Sequence, residues 1–210
     1  GAPHILQDPT GKDWYDRIKA GKGVDVAREI IGLFSQDKFP PELVYAPTSE
    51  AYKNAWAETV KAAEQYNEPG RFSAFIGYEW TSLVQGNNLH RVVVYRDGGD
   101  KGRQIVPYTT MPPQGSTNPR KLWEWLAQYE RKTGGEVLAI AHNGNLSNGM
   151  MFPLDIESDG KPLDMQYVQQ RDKWEPLYEA TQFKGDGEAH PFLSPDDEFA
   201  DFETWDIGNL

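Results

Sequence analysis

The stretch Phe72-Ser-Ala-Phe-Ile-Gly-Tyr-Glu79-Trp-Thr-Ser-Leu-Val-Gln-Gly-Asn-Asn-Leu-His90-Arg-Val-Val-Val-Tyr-Arg96 decides the fold. Two runs rich in aromatic and β-branched residues, 72–79 and 89–96, flank the turn-forming Gly86-Asn87-Asn88 and read as strands. Paired as a hairpin, they bring Glu79, at the end of the first, and His90, at the start of the second, to one end of a sheet. A third apolar run, Val137 to Ala141, leads straight into His142. A carboxylate and two imidazoles so placed are hard-to-borderline metal ligands. Only four histidines occur in the chain, and two of them stand at strand edges. Taken singly, each histidine also reads as a hydrogen-bonded structural residue, and Glu79 as the partner of an arginine.

Outward from this stretch, helices alternate with strands. Residues 11–36 carry Trp14, Ile18, Val26, Ile30 and Leu33 at helical spacing, with Gly21 and Gly23 dividing the segment. Ser49 opens a second helix, 48–67, with Tyr52, Trp56, Val60 and Ala63 on its stripe. The clearest helix is 119–132. Asn118 is its N-cap, Pro119 its first residue, Leu122, Trp125, Leu126 and Tyr129 its apolar stripe, and Gly134-Gly135 its stop. Leu177 to Phe183 reads as a further strand before Lys184-Gly-Asp-Gly187. Segments 107–119 and 150–165 read as loops, and Ser194-Pro-Asp-Asp-Glu198 as a capped helix start. The alternation predicts an α/β architecture in one domain over residues 1–210.

Composition narrows the function. The 38% hydrophobic and 25% charged content is that of a soluble globular protein. Apolar runs reach five residues, as in 137–141, far short of a membrane span. The net charge of −11 lies in the acidic section 151–210, where 15 acidic residues face 4 basic ones. Nucleic acid and anionic membranes are therefore poor partners. Solubility, or attraction of a cationic partner, accounts for the excess. With no cysteine, any metal rests on His, Asp, Glu, Asn or water. The absence of cysteine leaves the compartment undecided.

Phe-Ile-Gly-Tyr-Glu79, Leu-His90-Arg and Ile-Ala-His142-Asn together resemble the middle motifs of the PHP (polymerase and histidinol phosphatase) superfamily. The strings Gly86 to Asp97 and Ala141 to Gly149, with Trp174 to Gly185, resemble a PHP-related bacterial family, domain of unknown function 3604. The likeness spans most of residues 70–204. It implies a distorted (βα)7 barrel with a two- or three-metal site at the strand C-termini. In that picture Glu79 is the bridging carboxylate, and His90 and His142 are ligands to Zn, Mn or Fe. The implied chemistry is hydrolysis, usually of phosphoesters, by metal-activated water on a small anionic substrate.

Members of that superfamily also draw ligands from an opening His-x-His and a closing Asp-x-His, and neither pattern occurs here. The chain is thus expected to be the central part of an incomplete barrel, partnered by the remaining segments of a longer parent. Alone, it is expected to bind metal weakly and to hydrolyse little. Arg91 and Lys184 are candidates to neutralise an anionic substrate, or else are solvated surface cations. Asn143 could bond a ligand or mark a turn. His190, in Glu-Ala-His-Pro, is a candidate site residue or an ordinary loop histidine. The alternative function is a non-catalytic module that binds carbohydrate through a Trp-rich face, or a cationic partner through the acidic one.

Overall fold

A computed structural model describes residues 3–36, 38–182, 184–187, 191–192 and 194–201. The chain opens with three helices, α1 (Pro3–Gln7), α2 (Pro9–Lys19) and α3 (Gly23–Ser35). Asp8 caps α2 by accepting from the Thr10 and Gly11 amides, and Gly21 at φ 82° makes the break before α3. Trp14, Val26 and Leu43 form a small core here, with Ile30, Leu33 and Phe39 packed against it. α4 (Glu50–Tyr66) is capped by Ser49 and turns Trp56 and Val60 into the main core.

The main sheet has the order β1 (Gly77–Trp80), β4 (Arg91–Tyr95), β5 (Val137–Ala141), β6 (Leu177–Tyr178). β4 is antiparallel to both neighbours, while β5 and β6 run parallel. The small hairpin of β2 (Leu83–Val84) and β3 (Asn87–Asn88) links β1 to β4. Its turn residues Gln85 and Gly86 both take positive φ, the geometry whose twist matches a two-residue hairpin. α5 (Gly99–Gly102) and α6 (Pro119–Thr133) lie between β4 and β5. α7 (Met165–Trp174) lies in the crossover that the parallel β5–β6 pair requires. β7 (Thr181–Gln182) and β8 (Gly185–Asp186) form a separate hairpin. The architecture is mixed α/β, and the described strands do not close into a barrel.

α6 forms as its sequence dictates. The Asn118 side chain accepts from the Arg120 amide, and Gly134 at φ 65° ends the helix. Leu122, Trp125, Leu126 and Tyr129 are buried against the sheet. Each such side chain contributes ~1.5–3 kcal/mol by leaving water. Trp123 is buried too, because Tyr167 of α7 covers it edge-on at 5.0 Å.

Several elements depart from the sequence reading. Pairing with β4 begins at Gly77 rather than Phe72, since β4 ends at Tyr95; Phe72 instead forms an isolated bridge with Glu68, and Phe72 and Phe75 are exposed. The strand expected over 177–183 is divided between β6 and β7, with Phe183 outside the described residues. α7 was not anticipated, as it buries only Tyr167 and Trp174 and has no stripe to read. Ser194 to Asp201 makes turns instead of starting a helix. No helix among the described residues is long and apolar enough to cross a membrane.

Arg91 is 0% exposed. Its guanidinium donates to Glu175 Oε1 at 2.9 Å and to the Leu89 carbonyl at 2.6 Å. Trp123 Nε1 adds a second donor to the same carboxylate oxygen at 2.8 Å. Part of the acidic excess is likewise structural, since Arg120 pairs with both Glu157 and Asp164. Removing one partner of a buried pair leaves an uncompensated charge. Glu175→Ala should therefore cost ~3–5 kcal/mol in urea unfolding, against about 1 kcal/mol for the cap variant Asn118→Ala. Equal losses in the two variants would show that Arg91 is not held by Glu175.

Candidate metal centre

The register of β1, β4 and β5 assembles the site. Glu79 faces Val92, and Val92 faces Ile140, across the two ladders. Side chains alternate, so His90 shares the face of Val92 and His142 that of Ile140. The next rung is already formed, as the His142 amide donates to the His90 carbonyl at 3.4 Å. Glu79 is thus the diagonal cross-strand neighbour of His90. The opposite face, with Arg91, Val93, Tyr95, Ala139 and Ala141, is buried in the core.

All three sequence-predicted ligands converge. Glu79 Oε1 lies 3.1 Å from His90 Nδ1 and 2.9 Å from His142 Nε2. One ligand atom from each residue lies within 4.8 Å of the others, a group that could hold a metal ion. Bonds from His142 and then His90 hold the Glu79 carboxyl well below the usual carboxylate range, outweighing partial burial. The imidazoles are nearly buried, at 11% and 13% side-chain exposure, while Glu79 stays 46% exposed. The site therefore has a closed back and an open front.

Several surrounding groups fix this geometry. Asn88, buried beneath the hairpin, accepts the His90 amide at 3.0 Å. Asn143 follows His142 in the left-handed region, φ 56°, which Asn tolerates better than most residues. Its amide donates to Glu179 Oε2 at 2.8 Å. Neither Asn88 nor Glu179 was singled out from sequence. For Asn88 the available signal was a side-chain acceptor two residues before a site histidine, an Asx-type contact.

Arg91 is neither a solvated cation nor open to substrate, because its donors face Glu175 and Leu89 in the core. Lys184 is half-buried, and its carbonyl accepts from Asn145 Nδ2 at 2.9 Å. Asn143 is buried, with its Oδ1 unpartnered among the described residues. His190 lies outside the described residues. The six described tryptophans are buried or nearly so, which assigns them to the cores rather than to a sugar-binding row.

A family model described as protein of unknown function (DUF3604) matches residues 1–210. The chain belongs to that family. No curated protein and no solved structure matches it.

Ionised Glu79 contributes to stability through its two imidazole partners. Its folded-state pKa is depressed, so that contribution is present above the unfolded carboxylate value of about 4.3 and is lost as pH falls further. The difference in Tm between the native chain and Glu79→Gln should accordingly be largest near neutrality and close below about pH 4. A difference constant with pH would mean that the carboxylate charge plays no part.

Proposed function

We propose that this chain carries the central part of a PHP-like metal-dependent hydrolase acting on a phosphoester-type bond. In the parent protein, further strands would complete the barrel and supply the other ligands. The observation that carries the reading is the convergence of Glu79, His90 and His142 at matching strand ends. One anionic and two imidazole donors suit Zn, Mn or Fe, and three protein ligands leave positions for water and substrate, as catalytic sites do.

The residues present fit such an ion. One oxygen of Glu79 takes both imidazole contacts, so a divalent cation held by these three residues would take the place of the hydrogen bonds between them. His90 Nε2 and His142 Nδ1, on the far sides of the rings, are buried and unpartnered among the described residues. With the near nitrogens as ligands, these far nitrogens would carry the ring protons. When bound, the ion supplies Lewis acidity that activates water and polarises the ester. Glu79 would contribute the negative charge of the ligand set. The ladder beneath holds both imidazoles in fixed orientation.

Isothermal titration with Zn²⁺ and Mn²⁺ tests this reading. The native chain should take up metal, more weakly at acid pH because protons compete for the ligands. Glu79→Ala and His142→Ala should each lose more than about tenfold in affinity, since even outer partners of ligands contribute 10–100-fold. Unchanged affinity in both variants contradicts the metal centre.

A further inference from the structure

Beside the centre lies a cleft of about 970 Å³, large for a small-molecule site, and both Glu79 and His90 line it. Its walls come from segments far apart in sequence. Phe34 and Phe39 border it on one side, and Tyr52, Tyr78, Trp80 and Tyr108 elsewhere. The rings are fixed in place. Phe34 and Phe39 stack at 4.2 Å between centroids, and Tyr108 stacks on Trp125 at 6.3 Å. Tyr52 donates its hydroxyl to the Pro107 carbonyl, and Tyr78 accepts the Tyr108 amide, so both phenols are engaged by backbone. What these residues offer a ligand is mainly aromatic surface.

Charge is the second observation. Among the described residues lining the cleft, Glu79 is the only one with a charged side chain, and no Lys or Arg occurs there. A second phosphate or carboxylate on the ligand would find no cation and would lose its hydration, which is costly in such surroundings. Among the described residues, the further polar lining is uncharged: hydroxyls of the 109–117 loop, Thr81 and Tyr108, the His90 ring, and Trp80, whose indole N–H is buried and unpartnered. Close packing keeps this loop in place. A Cβ on Gly115 would meet the Thr109 carbonyl, so the loop crosses itself at a point only glycine allows.

We propose that the cleft binds an uncharged, ring-bearing apolar group. The substrate is then an ester with one anionic group at the metal centre and a bulky aromatic or alicyclic remainder between these walls. The substrate class rests on the metal-hydrolase reading, whereas the cleft's preference for apolar rings does not.

The test is fluorescence titration of the 210-residue chain in EDTA with the uncharged probe N-phenyl-1-naphthylamine. Saturable one-to-one binding is expected. Ile31→Glu places a charge on the cleft wall at a position 46% exposed in the fold, where the variant should still fold. It should weaken the probe about tenfold, the scale on which apolar pockets discriminate, and Tyr108→Ala should do likewise. Non-saturable binding, or an affinity unmoved by Ile31→Glu, overturns the cleft proposal. With Mn²⁺ present, 2-naphthyl phosphate should displace the probe at concentrations at least about tenfold below those needed for methyl phosphate. Equal potency overturns the substrate class. Intact probe binding in a chain that takes up no metal would reject the hydrolase reading, and the substrate class with it, while leaving the cleft standing.

Discussion

The antiparallel register of β4 between β1 and β5 is the constraint on which the rest depends. Arg91 lies opposite both Trp80 and Ala141, and that rung fixes where Glu79, His90 and His142 emerge. A slip of one residue in either ladder would send a ligand to the opposite face. The buried contacts of Arg91 with Glu175 and Leu89 tie the same rung to α7 and to the residue before His90. The core-facing residues of these strands and the ligand-bearing ones are therefore set by one alignment. Sheet stability and site geometry cannot be varied independently here.

Around this alignment the protein separates two tasks. The Glu79–His90–His142 face gathers one carboxylate and two imidazoles at a partly open position. The neighbouring cleft offers rings, a few hydroxyls and, among the described residues, no lysine or arginine. An ion at the first would have to carry the whole charge of an anionic group, because nothing in the second can share it. The buried Arg91, which the sequence offered as a substrate partner, instead maintains the scaffold. Its guanidinium is committed on the core side of the same strand that presents His90.

Much of this was legible in the sequence wherever a local signal coincided with a tertiary role. Asn118, Pro119, the Leu122–Tyr129 stripe and Gly134 each specify α6 locally, and packing agrees with them. The hairpin and the convergence of Glu79, His90 and His142 were legible because strand edges and turn residues fall at fixed distances from Glu79 and His90. The rest needed information spread over the chain. Nothing near Arg91 announces that Glu175, 84 residues away, will bury it. α7 has too few buried positions to show a period, and residues 72–75 resemble a strand yet pair only at Phe72, in a bridge to Glu68. The cleft was invisible because its walls span positions 31 to 117 and meet only after folding.

The most direct test of the central claim is anomalous X-ray scattering from crystals of the chain equilibrated with Zn²⁺ or Mn²⁺. A peak is expected bonded to a Glu79 carboxylate oxygen and to one nitrogen each of His90 and His142, at about 2.0–2.2 Å. Well-ordered crystals with no peak there, or with metal bound only at the acidic surface of residues 151–210, would contradict it.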